Sequence, residues 1–386
     1  MALDEGVRRD GACYFADRAM CVIRVEDTLF KVPKYLLAHD SSAFEHMFAL
    51  PAPGNGDSEA GSSQEGLSDD NPIHLCGESA EQFRLLLSIL RAPPYEVAAY
   101  NTASADIPKL LSIALITNKY HFEKTTEWAI DAVYSVVTGE YGDPAPCGDL
   151  SKLSSATLAR IAAVALACGH TRLVYYVVQR WADRIQAREL SPRPAMAFAD
   201  EHGLSTLRGV AYYVQLMDCG LEIGQTTTPS YLDPASPPSA TPSGSTCGAE
   251  DTEDDAHMPL TPKQHLRLLS GYRRLTMLWH RLQHAPPKFA QPGPCTYHVQ
   301  GCVSTFEAVW SEAAMSARCA ALELADVLGR LRCAEEMLNT SIDIAVALSP
   351  ACKREAMLAV RRLVQEVQDS LHEHFVDLTD PHEGGL

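Results

Sequence analysis

The sequence predicts an α+β fold at its N-terminus, followed by all-α helical pairs and a C-terminal helical bundle. Three observations lead there. β-Branched residues gather in a hairpin pattern at 21–32, apolar residues then recur every three or four positions from 79 onward, and two acidic stretches interrupt the order.

Cys21-Val22-Ile23-Arg24-Val25 and Thr28-Leu29-Phe30-Lys31-Val32 read as two strands joined by Glu26-Asp27, and Pro33 ends the ladder. Asp40 or Ser41 then caps a helix carrying Phe44, Met47 and Phe48 at i, i+3 and i+4. Residues 51–71 are rich in Gly, Ser and acids, which reads as a solvated loop insert. Ile73-His74-Leu75 is a third short strand. Ser79-Ala80-Glu81-Gln82 has capping-box spacing before Phe83, Leu86, Leu87 and Leu90. Asp106-Ile107-Pro108 starts another helix with Leu110, Leu111, Ala114 and Leu115, and Trp128, Ala132, Val133 and Val136 continue past His121 on its partner. His121, His170 and His202 each fall in a turn between helices over 107–217, where a polar turn residue bonded to a helix end is expected. Residues 225–262 hold seven prolines among Ser, Thr and acids, the composition of a disordered linker. Beyond it lie three stripes: Leu268, Tyr272, Leu275, Trp279 and Leu282; Leu324, Leu328 and Leu331; and Met357, Val360, Val364, Val367 and Leu371. Three short stripes predict a helical bundle with short connections rather than an intermolecular coiled coil.

A chain of 386 residues with 46% hydrophobic and 21% charged residues is long enough for two to three cored domains. Its net charge is −17, and much of it sits in the two acidic stretches, which carry five and six acids and no Lys or Arg. The remainder has no cationic cluster for nucleic acid or anionic lipid, so neither partner is expected. The longest apolar run, Ile161–Cys168, is too short to span a bilayer, and the charged start Met1-Ala2-Leu3-Asp4-Glu5 lacks a signal-peptide core. An intracellular setting, cytoplasm or nucleus, is the expectation. The twelve cysteines include no Cys-x-x-Cys pair and read as reduced residues, several of them in apolar stretches.

No phosphate-cradling loop, nucleophile elbow or His-Glu-x-x-His is present, and an enzyme is not expected. Cys295, His298 and Cys302 give three soft ligands in eight residues, three corners of a zinc tetrahedron. A fourth would have to come from Cys319, Cys333, Cys352 or His284, and spacing designates none of them. The expectation is therefore a reduced, partly buried loop, with no metal and no cofactor.

The stretch Val22-Ile23-Arg24-Val25, Phe30-Lys31-Val32, Leu36-Leu37-Ala38 and Ser42 to Phe48 resembles the BTB/POZ domain. Leu110-Leu111, Ala114 and Asn118-Lys119-Tyr120 resemble that domain's closing leucine-alanine-lysine-tyrosine helix. The whole chain resembles BTB/POZ-containing proteins numerous in mushroom-forming fungi. On this reading 12–140 is the BTB/POZ domain, with 51–71 as its insert. Residues 145–224 are a BACK-like helical-pair region, 225–262 the linker and 263–380 the C-terminal helical domain. Met20, Pro33 and Asp40 stand where the family often has Asp, His and Arg. Because that Asp/Arg pair lies beneath the family's corepressor groove, the departures disfavour corepressor recruitment.

The resemblance implies a non-enzymatic protein that forms a homodimer through Tyr14, Phe15, Met20, Phe44, Met47 and Phe48. It would act as a scaffold recruiting a protein partner through its helical regions. An adaptor for a cullin-3 ubiquitin ligase is the alternative, since such adaptors carry extra helices where residues 153–217 lie. A zinc-containing or enzymatic C-terminal region is the remaining one.

Overall fold

The computed structural model describes residues 20–50, 65–141, 148–223, 259–293 and 295–377. The chain divides into two compact units, Met1–Leu153 with Arg160–Val177, and Ser154–Ala159 with Val178–Leu386. The arrangement is α+β, with one small sheet near the N-terminus and helices elsewhere. Among the described residues no helix is long and apolar enough to cross a membrane.

In the first unit, β1 (Met20–Val25) and β2 (Thr28–Pro33) pair antiparallel from Met20↔Pro33 to Val25↔Thr28. β3 (Ile73–Leu75) joins the other side of β1 in parallel, giving the order β2-β1-β3. A parallel pairing needs a crossover. Here α1 (Lys34–Leu37), α2 (Ala43–Ala49) and the acidic stretch lie within it. Ser42 caps α2, accepting the Glu45 N–H at 3.2 Å, rather than the expected Asp40 or Ser41. Both of those sit at positive φ and form the turn, leaving Ser42 the extended backbone a cap requires. Asp40 instead accepts the Lys124 N–H at 2.8 Å.

The end of the acidic stretch is not a free loop. The Gly66 carbonyl accepts the Val22 N–H at 2.8 Å, and its own N–H bonds the Asn71 carbonyl at 2.7 Å. With φ at +82° and the Ile73 side chain filling the space of a Cβ, this position favours glycine. Residues 51–64 lie outside the described residues.

Ser79 and Gln82 form the expected capping box of α3 (Ala80–Arg91), and Glu26 Oε2 accepts the Ala80 N–H at 2.9 Å. α4 (Pro94–Ala99) follows, then α5 (Ile107–Lys119), capped by Asp106, and α6 (Glu123–Thr138), ended by Gly139 at positive φ. The core joins Ile23, Val25, Leu37, Phe44, Phe83, Leu86 and Phe122 from the sheet and helices. His170 lies in the turn between α7 (Ser155–Ala167) and α8 (Thr171–Gln186). Its Nδ1 accepts the Leu173 N–H at 3.0 Å while Nε2 meets Asp131 at 3.0 Å, the helix-end role expected of a turn histidine.

The second unit pairs α9 (Pro192–His202) with α10 (Ser205–Ile223) and packs α10 against α11 (Pro262–Leu282). The compact unit thus includes residues from both sides of the 225–262 stretch, of which 225–258 lie outside the described residues. At the near end of that stretch Thr261 forms a capping box with Gln264 and belongs to α11. Then come α12 (Ser304–Ala314), α13 (Ala317–Ala320), α14 (Val327–Thr340), α15 (Ile342–Ala347), α16 (Pro350–Asp369) and α17 (Leu371–His374). The expected stripes bury Leu268, Leu275, Trp279, Leu328, Leu331, Val360 and Leu371. Tyr272 and Leu324 depart from this: Tyr272 faces outward from α11, and Leu324 lies before the Asp326 cap of α14, half exposed.

Two glycines admit the end of the chain. A Cβ on Gly271 would collide with the Phe375 ring, and one on Gly209 would meet the His372 backbone at 2.7 Å. Phe375 is fully buried against Tyr212, ring centroids 5.5 Å apart. Beside them Asp200 of α9 is held by Arg208 at 3.1 Å, Arg267 at 2.8 Å and the Tyr212 hydroxyl at 2.6 Å. Burial and then the hydrogen bond to Asp200 hold the Tyr212 hydroxyl well above its ordinary range. Removing one partner of a buried pair leaves an uncompensated charge, so Asp200→Ala is expected to lower stability by about 3–5 kcal/mol. Urea unfolding followed by circular dichroism measures it, and an unchanged midpoint would contradict the role given to Asp200.

Candidate functional site

The six residues expected to form a self-association surface do not share one environment. Tyr14 and Phe15 lie outside the described residues. Met20 opens β1, half-buried and paired with Pro33. Phe44 is 2% exposed and stacks on Tyr120 at 4.7 Å, with Phe122 at 6.3 Å, so it is a core residue rather than a surface one. The helical spacing that unites Phe44, Met47 and Phe48 turns that stripe toward the sheet and the end of α5, and the central member is consumed by packing.

Met47 and Phe48 are half-buried at the margin of the same core. The Lys34 ammonium stands 5.3 Å from the Phe48 ring centroid, bringing the start of α1 beside α2. Leu50, which caps α2, is 70% exposed, and Tyr35 of α1 is 54% exposed. Neither was singled out from sequence, because an apolar residue at a helix end or in a four-residue helix shows no period. On another side of the unit, Leu29, Phe30, Lys31 and Val32 of the edge strand β2 line a groove of about 420 Å³ with Arg84, Leu87, Ser88 and Arg91 of α3.

The Asn118-Lys119-Tyr120 segment is absorbed by packing within the first unit. Asn118 Nδ2 donates to the Ala167 carbonyl at 3.1 Å, and Lys119 pairs with the buried carboxylate of Glu78. Burial, with Glu78 beside it, holds the Tyr120 hydroxyl well above its ordinary range.

In the second unit, Cys295, His298 and Cys302 do come together, and Cys352 joins them. Cys295 follows a turn in which its N–H bonds the Pro292 carbonyl at 3.0 Å. His298 and Cys302 belong to a π-helical turn, His298–Val303, immediately before α12. Cys352 stands in the first turn of α16, its N–H bonded to Ser349 Oγ at 3.2 Å. Cys295 Sγ lies 3.8 Å from Cys302 Sγ, and His298 Nδ1 lies 3.4 Å from Cys352 Sγ. All four side chains are buried.

Burial raises the Cys352 thiol to about 11. At Cys295 burial acts the same way, but hydrogen bonds from Cys352, the Tyr297 backbone and Ser349 outweigh it and leave that thiol below its ordinary value. Cys319 instead packs with Cys333 and Ala334, and the His284 ring lies against His280. Ser349-Pro350 is a helix-start signal for the element that carries Cys352, yet the 49 residues between Cys302 and Cys352 give no spacing that ties the two together.

No family model, no curated protein and no solved structure matches this chain.

The two classes of apolar residue on α2 behave differently under substitution. Phe44→Ala is expected to cost about 3–5 kcal/mol by opening a cavity in the core. Leu50→Ser, at an exposed helix end, is expected to stay within about 0.5 kcal/mol of the parent when both are measured dilute enough to be monomeric. Equal losses in thermal unfolding would show that the division between core and surface is drawn in the wrong place.

Proposed function

We propose that this chain is a non-enzymatic scaffold of the BTB/POZ type that pairs with a second copy of itself through its N-terminal α+β unit and recruits another protein through its helices. The element order supports it: a hairpin, two short helices, a third strand beside the first, a capped helix, and later a closing helix pair. The observation that carries self-pairing is the surface of α1 and α2. Half-buried Met47 and Phe48 sit there with Leu50 and Tyr35 largely in solvent and the aromatic core directly beneath. A two-fold pairing would cover such residues with their own counterparts, removing apolar area from water without a second kind of surface.

The choice of variants follows from the burial of Phe44. Substituting it would unfold the unit and say nothing about pairing, whereas Met47→Asp and Leu50→Asp place a charge at the margin, where burial against a partner would desolvate it. Light scattering coupled to size exclusion on the full chain, at tens of micromolar, is expected to give twice the chain mass. Either variant is expected to move it toward the monomer with unchanged circular dichroism. A parent chain that is monomeric at that concentration would overturn the proposal.

A further inference from the structure

The cysteine and histidine cluster of the second unit has no part in the pairing just proposed. We propose that Cys295, His298, Cys302 and Cys352 form a structural zinc site. In a tetrahedral site with Zn–S near 2.3 Å and Zn–N near 2.0–2.1 Å, sulfur atoms lie about 3.8 Å apart and sulfur and nitrogen about 3.6 Å apart. The separations here are 3.8 Å for Cys295 Sγ to Cys302 Sγ and 3.4 Å for His298 Nδ1 to Cys352 Sγ. The ligand atoms of Cys295, His298 and Cys352 all lie within 4.8 Å of one another.

Three sulfurs and an imidazole nitrogen are a soft donor set that suits zinc rather than magnesium or calcium. Four protein donors leave no open position, which is the condition of a structural site and not of a catalytic one. On binding, the three thiols release their protons to solvent and the imidazole binds through its neutral nitrogen.

The surrounding chain is shaped for these four atoms. A π-helical turn is uncommon, and it carries both His298 and Cys302 as buried residues, Cys302 reaching the group through Cys295. The Tyr297 carbonyl accepts both the Gly301 and Cys302 N–H groups, at 3.1 and 3.3 Å. Cys352 occupies the first turn of a twenty-residue helix, where the positive end of the helix dipole favours a thiolate. The Phe289 ring lies edge-on to His298 at 5.1 Å and to Phe306 at 5.2 Å, an apolar wall on one side.

The connection Gln283–Tyr297 contains Pro286, Pro287, Pro292 and Pro294, and its described residues form no helix or strand. Phe289 packing and the Gln291 Nε2 donation to the Cys295 carbonyl at 2.7 Å order the end of it that carries Cys295. A metal held between this connection and α16 would offset more of the entropy of that ordering. A Cys295–Cys302 disulfide is the competing chemistry, and it would leave His298 and Cys352 unused.

The test uses the full chain without a histidine tag, expressed with zinc in the medium and purified without chelator. Elemental analysis is expected to find about one zinc per chain in the parent and in Cys333→Ser, and less than about a tenth of that in Cys302→Ser and Cys352→Ser. Cobalt exchanged into the parent is expected to give the visible absorption of a tetrahedral thiolate site, a readout that does not depend on whether the variants fold. Zinc below about a tenth per chain in the parent, or stoichiometric zinc surviving in Cys352→Ser, would overturn the proposal. So would an intact mass showing a Cys295–Cys302 disulfide in the freshly purified chain.

Discussion

Asp200 is the charge around which the second unit closes. A carboxylate largely removed from water needs cations and donors at fixed positions, and here they come from two helices packed beside the α9 that carries Asp200. Arg208 and Tyr212 belong to α10, and Arg267 belongs to α11, beyond the stretch 224–258. The Arg267 side chain is almost wholly buried, so it too requires its partner. α10 and α11 also form the slot that Phe375 fills, and Gly271 and Gly209 leave room for the chain end at the two points where a side chain would collide. Packing and electrostatics therefore make one demand, that residues before and after the proline-rich stretch fold as one body.

The first unit rests on a different constraint. β1 is central, flanked by β2 and β3, and its inward residues meet Phe83, Phe44 and Phe122. An apolar frame of this kind leaves α2 only one orientation. Phe44 is then spent inside, while Met47, Phe48 and Leu50 grade outward to solvent. The surface proposed for self-pairing is what that packing leaves over, at the margin of the helix.

What was legible in the sequence was local. The Ser79–Gln82 capping box, the Asp106-Pro108 start and the strand pair around Glu26-Asp27 are encoded within a few residues, and each appears where expected. Periodicity tells which residues share a helix face but not what covers it; the BTB/POZ resemblance implies that Phe44 lies at a pairing surface, and it lies in the core. Leu324 fitted a helical spacing but precedes the Asp326 cap. The same limit governed the cysteines. Cys295, His298 and Cys302 are neighbours in the chain and were visible as a group, whereas Cys352 joins them only because α16 brings its first turn to the π-helical turn. The union of residues 178–223 with 259–377 was hidden for the same reason, since a linker composition marks a break in sequence and not a break in the core.

The most direct measurement of that union is cleavage of the full chain at a protease site engineered after Ser243, followed by size exclusion in native buffer. The two fragments are expected to elute together and to separate only in denaturant, because the Asp200 cluster and the Phe375 slot are each built from both. Fragments that part in native buffer, each retaining its helical circular dichroism and cooperative unfolding, would contradict it.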